Sequence, residues 1–484
     1  MKLALVGVGD AGTRIVDRFV SREQATGRSI TTGNILVFNT DDRVFEDTRT
    51  IPEERRVLLG DTHSAVKRRP DSADVSASAE GKGGDADRVH TGTHADTIDS
   101  YGVGGDPDVG ATVAEADLPE IRRALDQIDE TEVAATMLVA GLGGGTGSGV
   151  GSVLLEELNA IYETPVYVLG ALPSTTEPDR RALTAARGIR TLVPLADATF
   201  LVDNEAWRHG TDSVAARHNN INEAIVTRLL ALFGAGERDP EAISEMRVDS
   251  ADLSRTLEVG GVATIGYATH ELDRDDNDLF ARLLQLLGLS NDTDDGGVDA
   301  ATIKRLIRQA LESKLTLPCA VTSADRVLLI LSGPPDTISR KGFETGRYLL
   351  EEETTTVEVL AGDEPVSGAT EITATVVLSN VTDIPRIDEI QRQAVSMHSL
   401  STTDDHDTAG GSDSDLGDDE REDEVDPDRV LTDDTAGGED DGDVDENDGS
   451  EVDNTNKHNA ADSSVEAFDG ETDHSFDFEA ERDE

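Results

Sequence analysis

The chain has 484 residues, of which 36% are hydrophobic, with one cysteine and a formal net charge of -58. A single cysteine excludes an intramolecular disulfide, the lack of an apolar run of about 18 residues excludes a membrane-spanning helix, and the acidic excess argues against nucleic acid as a partner. Because molar salt shortens the Debye length to about 3 Å and screens like-charge repulsion, the composition favours a protein of a salt-rich cytoplasm.

The predicted elements of the first half alternate between strands and helices. Strand-like runs occupy residues 2–6, 34–38, 135–140, 166–171 and 199–202. One helical pattern lies at residues 13–20, and another follows the glycine turn after residue 140 and ends at residue 158. Residues 70–100 are polar and lack an apolar period, so we expect a surface insertion there. The alternation predicts an α/β fold with a doubly wound parallel sheet, whose ligand lies at the carboxyl ends of the strands.

The second half begins with one long amphipathic helix, predicted over residues 212–234, and continues as a smaller α/β unit. That unit has predicted strands at 262–268, 326–331, 356–360 and 373–378 and predicted helices at 301–314 and 340–350. From residue 396 the chain is acidic and poor in apolar residues, which predicts a disordered tail and a possible adaptor-binding segment. We therefore predict a first domain over residues 1–236, a second over 237–395 and a tail over 396–484.

Two glycine-rich loops carry the strongest functional signal. The first, Gly7-Val-Gly9-Asp-Ala-Gly12, follows a strand and opens a helix, with the spacing of a dinucleotide-binding motif. Glycine lets the backbone approach a phosphate closely, and a helix N-terminus supplies N–H donors. This loop alone predicts a phosphate ligand and leaves NAD open.

The second loop, residues 143–149 with the sequence GGGTGSG, lies between another predicted strand and helix. Its amides and small hydroxyls suit a polyphosphate, and the absence of a following lysine excludes a Walker-type P-loop. An NAD-dependent oxidoreductase has no need for a second glycine cradle. The two loops together therefore favour a nucleoside polyphosphate.

The GGGTGSG loop on the fourth predicted strand resembles the signature of the tubulin/FtsZ superfamily, and the resemblance extends from residue 1 to about residue 395. The first loop, with Asp10-Ala-Gly-Thr in place of a run of glycines, is closer to the archaeal CetZ branch. The resemblance implies GTP or GDP with Mg2+ as the ligand. It also implies assembly with further copies of the chain, head to tail, into filaments.

The resemblance further implies which residues contact the nucleotide. The first loop would contact the phosphates, Asn39-Thr40-Asp41 would form the next nucleotide loop, and residues 102–107 would form a switch loop that senses the γ-phosphate. With the second loop, the implied nucleotide-binding residues are Gly9, Asp10, Ala11, Gly12, Asn39, Thr40, Gly104, Gly105, Gly143, Gly144, Gly145, Thr146, Gly147, Ser148 and Gly149. Glu177 would bind the ribose, with Arg181 one helical turn further on. Asn204 would contact the purine or the ribose, Asn222 would read the guanine edge, and His218, which shares a helix face with Asn222, would stack on the base. The alternatives are that Asn219 or Asn220 makes the base contact and that His218 is a polar surface residue.

Two carboxylates, Asp249 and Asp252, are the candidate catalytic groups. Residues three apart on a helix lie on one face and can together orient an attacking water. The segment resembles the synergy loop of the superfamily, which completes the nucleotide site of the next subunit, although Arg247 stands where FtsZ commonly has asparagine. The alternative role of these residues is to cap the start of a helix.

The sequence thus favours a GTPase that self-assembly activates, of CetZ type and concerned with cell shape or motility. An FtsZ-like division protein is the alternative within the superfamily. An NAD-dependent oxidoreductase and a non-hydrolysing nucleotide-bound scaffold are the alternatives from other classes.

Overall fold

Ten strands are present among the residues that the computed structural model describes, which are 1–68, 101–207, 214–235, 248–272, 298–313, 315–335, 337–338, 340–354, 356 and 358–408. The predicted insertion at residues 70–100 lies outside these ranges. The strands are β1 (Leu3–Val8), β2 (Ile35–Asn39), β3 (Arg56–Leu58), β4 (Ala135–Gly141), β5 (Val166–Leu172), β6 (Ala198–Asp203), β7 (Val262–Glu271), β8 (Arg326–Gly333), β9 (Glu358–Pro365) and β10 (Glu371–Ser379).

The α-helices of the described residues flank this sheet. They are α1 (Gly9–Thr26), α2 (Arg43–Asp47), α3 (Pro107–Ala116), α4 (Leu118–Leu125), α5 (Gly151–Ile161), α6 (Asp179–Leu195), α7 (Val214–Phe233), α8 (Ser250–Leu257), α9 (Ala300–Ser313), α10 (Arg340–Thr354) and α11 (Pro385–Thr408). A π-helical turn, Thr146–Val150, leads directly into α5.

The first six strands form the parallel, doubly wound sheet that the sequence predicts. Their order in the sheet is β3-β2-β1-β4-β5-β6, so the direction of winding reverses between β1 and β4. The register pairs Gly7 with Val139 and Val8 with Ala140. Because ligands of open α/β sheets bind beyond the carboxyl ends of the strands at such a reversal, the fold directs attention to the loops that follow β1 and β4.

The sheet separates two hydrophobic layers, and β1 shows why its sequence is apolar throughout. Ala4, Val6 and Val8 belong to the layer that also contains α5 and α6. Leu3 and Leu5 belong to the opposite layer, which is filled by α1 and α7. A strand covered by helices on both faces has no polar face, so it is a continuous apolar run.

The second half contributes a mixed sheet. The strand β7 pairs in parallel with β6 through two residue pairs and runs antiparallel to β10. Next, β10 is antiparallel to β8, and β8 is parallel to the edge strand β9. The short β6–β7 ladder therefore joins both halves into one ten-stranded sheet.

The long helix α7 extends from one edge of the parallel sheet to the other. Its second turn carries His218, and near its end the carbonyl oxygen of Phe233 accepts a hydrogen bond of 2.6 Å from the amino group of Met1, just before β1. A 20-residue helix spans about 30 Å, somewhat more than the length of β1. The helix is thus anchored at the amino edge of the sheet and reaches the carboxyl edge.

The last described helix differs from the sequence prediction. Although the tail is predicted to begin at residue 396, α11 continues to Thr408. The net acidic charge that marks the tail begins only at Asp404 and Asp405, and the preceding residues include the helix formers Gln391, Arg392 and Ala394. Most of the predicted tail lies outside the described residues.

Candidate functional site

The loop after β1 places a helix N-terminus at the carboxyl edge of the sheet. The helix α1 begins at Gly9, whose φ is 69°, and its N-cap residue is Val8, which has no polar side chain to cap the first turn. A Cβ at Gly12 would lie 2.0 Å from the carbonyl oxygen of Val139, so only glycine lets α1 pack this closely on β4. The uncapped amides and the helix dipole favour an anion at this position.

The loop after β4 contains glycines that pack tightly against neighbouring backbone and a glycine with open space beside it. A Cβ at Gly145 would lie 2.5 Å from the amide nitrogen of Asp106, and one at Gly149 would lie 2.0 Å from the carbonyl oxygen of Pro107. By contrast, the nearest atom to a Cβ at Gly144 would be 3.7 Å away. Gly145 and Gly149 are therefore required for the packing of the loop, whereas Gly144 is not.

Burial gives the same division. Gly145, Gly147, Ser148 and Gly149 are buried, whereas Gly143, Gly144 and Thr146 are half-buried. The Ser148 hydroxyl donates a hydrogen bond of 2.6 Å to the carbonyl oxygen of Leu142 and so serves the loop itself. A bound phosphate would meet chiefly the half-buried residues, with the others forming the floor beneath them.

The residues after β2 connect the two loops. The side-chain amide of Asn39 donates to the Asp10 carboxylate at 2.9 Å, and the hydroxyls of Thr40 and Thr146 are 2.8 Å apart. Asn39 and Thr40 are both about 1% exposed. They therefore hold Asp10 and Thr146 in place from behind, in the part of the site where the sequence predicts direct phosphate contact. Ala11 lies in the first turn of α1.

The predicted switch loop lies against the second glycine loop. Gly104 and Gly105 have φ values of 66° and 77°, which glycine adopts readily and other residues do not. Asp106 caps α3 by accepting from the amides of Asp108 and Val109. The Arg180 guanidinium donates to the carbonyl oxygen of Gly104 at 3.2 Å, which ties this loop to the start of α6.

The predicted ribose and base residues surround the same edge. Glu177 accepts from the amide of Ser174 at 2.8 Å and pairs with Arg181 at 2.7 Å. The charges of both affect the titration of His218: partial desolvation and nearby arginines lower the pKa of its imidazole, and Glu177 opposes the shift. The side chain is nevertheless exposed. The fold thus brings His218 of α7 near the segment that follows β5.

The two predicted asparagines also lie near this edge. Asn204 is half-buried and directly follows β6, while Asn222 is half-buried one turn after His218. The residue next to Asn222, Glu223, pairs with Arg22 of α1 at 2.8 Å and with Arg18 at 3.4 Å. These ion pairs fix the face of α7 that is turned towards α1.

The predicted catalytic carboxylates lie at the opposite edge of the sheet. Asp249 shares a groove of about 690 Å³ with Met1, Lys2 and Ala134, which precede β1 and β4. The six residues of β1 span about 20 Å, so this groove and the glycine loops of the same molecule are separated by at least that length. Asp249 and Asp252 therefore do not join the other predicted site residues within one chain.

The same two carboxylates form a reciprocal capping box at the start of α8. Asp249 accepts from the amides of Ala251 and Asp252 at 2.8 and 3.0 Å, and Asp252 accepts from the amide of Asp249 at 3.1 Å. This is the structural role that the sequence offered as the alternative. Since each carboxylate has further acceptor positions, capping does not prevent either from also orienting a water.

One charged residue of this region was missed by sequence reasoning. Arg43 lies 2.6 Å from Asp41 through Nε, and its guanidinium carbon is 5.2 Å from the centre of the Tyr101 ring. Burial disfavours the charged form, but the hydrogen bond and charge of Asp41 outweigh it, so the pKa of Arg43 is raised. The Asp41-Asp-Arg43 spacing after β2 was a signal that could have indicated it.

A phosphate-binding arrangement on both sides of the switch point, joined by a long helix to a mixed sheet, defines a nucleotide-binding protein with the tubulin/FtsZ fold. Residues 2–212 match the Tubulin/FtsZ family GTPase domain, and residues 211–396 match the C-terminal domain of tubulin-like CetZ. The tubulin-like protein CetZ1 of Haloferax volcanii is 38% identical over 400 residues, which cover 82% of this chain and 92% of the relative. The chain therefore belongs to the CetZ family of tubulin-like proteins.

Solved structures of the family have the same fold. The GDP-bound monomer of CetZ1 from Haloferax volcanii is 35% identical, with a TM-score of 0.64 that covers 82% of this chain and 100% of that one. The GTPγS-bound protofilament of CetZ2 from the same organism is 29% identical and has a TM-score of 0.64. The alignment covers 83% of this chain and 100% of that one. Within the described ranges, no helix combines the length and apolar character needed to cross a membrane.

Proposed function

We propose that this protein binds and hydrolyses GTP and assembles head to tail into cytoskeletal filaments in the cytoplasm. The related structures that contain GDP and GTPγS support the choice of guanine nucleotide, and the CetZ2 protofilament supports self-assembly. The observation that carries the proposal is the separation of the two predicted parts of the site. The phosphate loops lie at the carboxyl edge of the sheet and the carboxylates at the amino edge.

This separation has a direct consequence for assembly. When identical subunits stack with the amino edge of one on the carboxyl edge of the next, Asp249 and Asp252 of one subunit face the nucleotide of its neighbour. Such a heterologous contact repeats without closing and yields a filament. Hydrolysis then requires a neighbour, so self-assembly activates the GTPase.

Magnesium fits the proposed site as a partner of the nucleotide and not as a resident ion. No group of three His, Cys, Asp or Glu side chains able to hold a metal occurs among the described residues. Mg²⁺ commonly takes one or two protein oxygens, with phosphate oxygens and water completing its shell. The Asp10 carboxylate and the Thr146 hydroxyl are suitable oxygens, and the ion would supply charge neutralisation at the phosphates.

Comparison within the superfamily supports a role in cell shape or motility over one in division. The support is the 38% identity to CetZ1 and the match of residues 211–396 to the C-terminal domain of CetZ and not to one of FtsZ. Localisation of a fluorescent fusion in dividing and shape-changing cells tests this assignment, and recruitment to the division site alone would contradict it.

The first experiment identifies the nucleotide. Protein purified in concentrated potassium chloride is denatured, and the released nucleotide is separated by chromatography. We expect GDP or GTP; a dinucleotide would support the oxidoreductase alternative instead. GTP turnover measured against protein concentration should rise more steeply than linearly, because each active site needs a second subunit. A strictly linear dependence would contradict completion of the site in trans.

The second experiment separates catalysis from capping at Asp249. Asp249→Asn keeps a side chain that caps a helix as well as aspartate does, but it removes the carboxylate charge. Asp249→Ala removes both, and the lost cap costs about 1 kcal/mol of stability. We expect both variants to bind GTP normally and to lose at least about 100-fold in turnover, the usual contribution of a general base. Normal turnover of Asp249→Asn with reduced turnover of Asp249→Ala would show that Asp249 caps α8 and takes no part in catalysis.

A further inference from the structure

Arg386, in the first turn of α11, is almost fully buried at the carboxyl edge of the sheet. Its side chain is 6% exposed. Nη2 donates to the carbonyl oxygen of Pro173 at 2.6 Å, and Nη1 donates to Glu389 at 2.6 Å. Nε is 3.3 Å from an oxygen of Asp203, an ion pair without hydrogen-bond geometry. An arginine buried at this depth is costly unless its charge is paired, and here the charge is shared between the buried Asp203 and the partly exposed Glu389.

The two groups that Arg386 joins belong to neighbouring strands. Pro173 directly follows β5, and Asp203 is the last residue of β6. The register pairs Leu172 with Asp203, so the guanidinium bridges the ends of two adjacent parallel strands. These are the points at which the chain leaves the sheet to form the segments that carry Glu177 and Asn204.

A chain of hydrogen bonds continues from this bridge into the segment after β5. Asp203 accepts from the amide of Glu205 at 3.0 Å. Glu205 in turn accepts from the amide of Thr175 at 3.0 Å and from its hydroxyl at 2.9 Å. The amide of Ser174 donates to Glu177 at 2.8 Å. The turn that presents Glu177 is therefore held at two points, at Pro173 by Arg386 directly and at Thr175 through Glu205 and Asp203.

We propose that Arg386 is a positioning residue for ribose recognition, which makes the affinity for the nucleotide depend on the position of α11. By binding the Pro173 carbonyl oxygen, the guanidinium fixes the turn of residues 173–177 so that the Glu177 carboxylate can accept a hydrogen bond from a ribose hydroxyl. This inference rests on the proposed function, because it assigns Glu177 to the ribose of a bound guanine nucleotide. A short or flexible replacement at position 386 leaves the turn without its anchor.

The test compares affinities for GDP and for its 2′-deoxy and 3′-deoxy analogues, measured by calorimetry in concentrated potassium chloride. Arg386→Met keeps the length and apolar stem of the side chain and removes the fork. Arg308→Met is the matched control, since Arg308 pairs with Glu353 at 3.1 Å on the exposed surface of the second half. Arg386→Lys serves as the second variant, because it retains the charge should the methionine variant not fold.

We expect the parent and Arg308→Met to bind GDP about tenfold or more tightly than the deoxy analogue that lacks the contacted hydroxyl, as a hydrogen bond to a carboxylate allows. Glu177→Ala should abolish this preference. Arg386→Met should also abolish this preference, with little change in affinity for that analogue. The double variant Glu177→Ala/Arg386→Met should bind GDP no more weakly than either single variant. Arg386→Lys should show the same loss to a smaller degree.

Three results would overturn the inference, and they differ from failure of the proposed function. The first is a folded Arg386 variant that keeps the full ribose preference. The second is equal weakening towards GDP and both deoxy analogues, which indicates a purely structural role. The third is an unchanged preference in Glu177→Ala. If the parent has no affinity for GDP at all, the proposed function itself is wrong.

Discussion

The two kinds of glycine in the second loop predict opposite effects of the same substitution. Gly149→Ala would place a methyl group 2.0 Å from the carbonyl oxygen of Pro107 and 2.9 Å from the amide nitrogen of Ala111. Ordinary contact begins at about 3.4 Å, so α3 would have to move away by more than about 1 Å. Gly144→Ala would meet nothing closer than 3.7 Å, and its backbone is not in the left-handed region.

The magnitudes follow from these distances. Replacing a glycine by alanine at a compatible position stabilises a protein by about 0.4–1 kcal/mol, because the unfolded chain loses freedom. Overpacking costs about 1–3 kcal/mol or more, and a clash with backbone lies at the upper end because no side chain can turn aside. We therefore expect Gly144→Ala to be neutral or slightly stabilising and Gly149→Ala to lose about 2 kcal/mol after the same entropic gain.

Urea unfolding in concentrated potassium chloride measures this difference. The nucleotide must be removed first, since a ligand that binds only the folded state raises its apparent stability. Equal unfolding midpoints for the two variants would refute the close approach of the second loop to α3. In a separate measurement of GDP affinity, Gly144→Ala should bind about tenfold more weakly despite its intact stability, because its methyl group occupies the side of the loop proposed for phosphate.

Two further predictions concern buried and titrating charges. Arg28 lies 3.6 Å from Glu364, with exposed side-chain fractions of 8% and 4%, so Arg28→Met should cost about 3 kcal/mol of unfolding free energy. Adding Glu364→Gln should recover the part of that loss that comes from burying the carboxylate without Arg28, but not the part from the lost hydrogen bond of Arg28 to the Leu230 carbonyl oxygen. No recovery in urea unfolding would argue against the pair. Because the pKa of His218 is lowered in the folded protein, the unfolded chain takes up the proton first as pH falls. Stability should therefore begin to decline below about pH 6.5, and His218→Gln should flatten that part of the stability profile; an unchanged profile would contradict the shift.

The strands of the parallel sheet were predictable because each is a buried run between recognisable turns. Every predicted strand of the first half is present, within about two residues at each end. The three-residue strand β3 was missed because it is too short to show a period. The helix α6 was also missed: its 17 residues include Gly188 and Pro194, which interrupt the helical pattern in the sequence.

The candidate site was predictable in outline and not in the division of labour among its residues. Sequence identifies Gly144 and Gly149 equally, and only the path of Pro107 past Gly149 distinguishes them. Arg386 could not be found from one sequence, because its partner Pro173 lies 213 positions away. Contacts of this separation depend on how the whole sheet assembles, which no local pattern records.

The common direction of the parallel strands links assembly, hydrolysis and the position of α11. All strands from β1 to β6 point the same way, so the phosphate loops occupy one edge and the start of α8 lies by the other. Under the proposed function a subunit then has one edge that receives a neighbour and a different edge that donates to one. Arg386 attaches α11 at the receiving edge, beside the turn that carries Glu177. Under the role inferred for Arg386, displacement of α11 would therefore weaken ribose recognition at the receiving edge, while Asp249 and Asp252 are held by the separate cap of α8 at the donating edge.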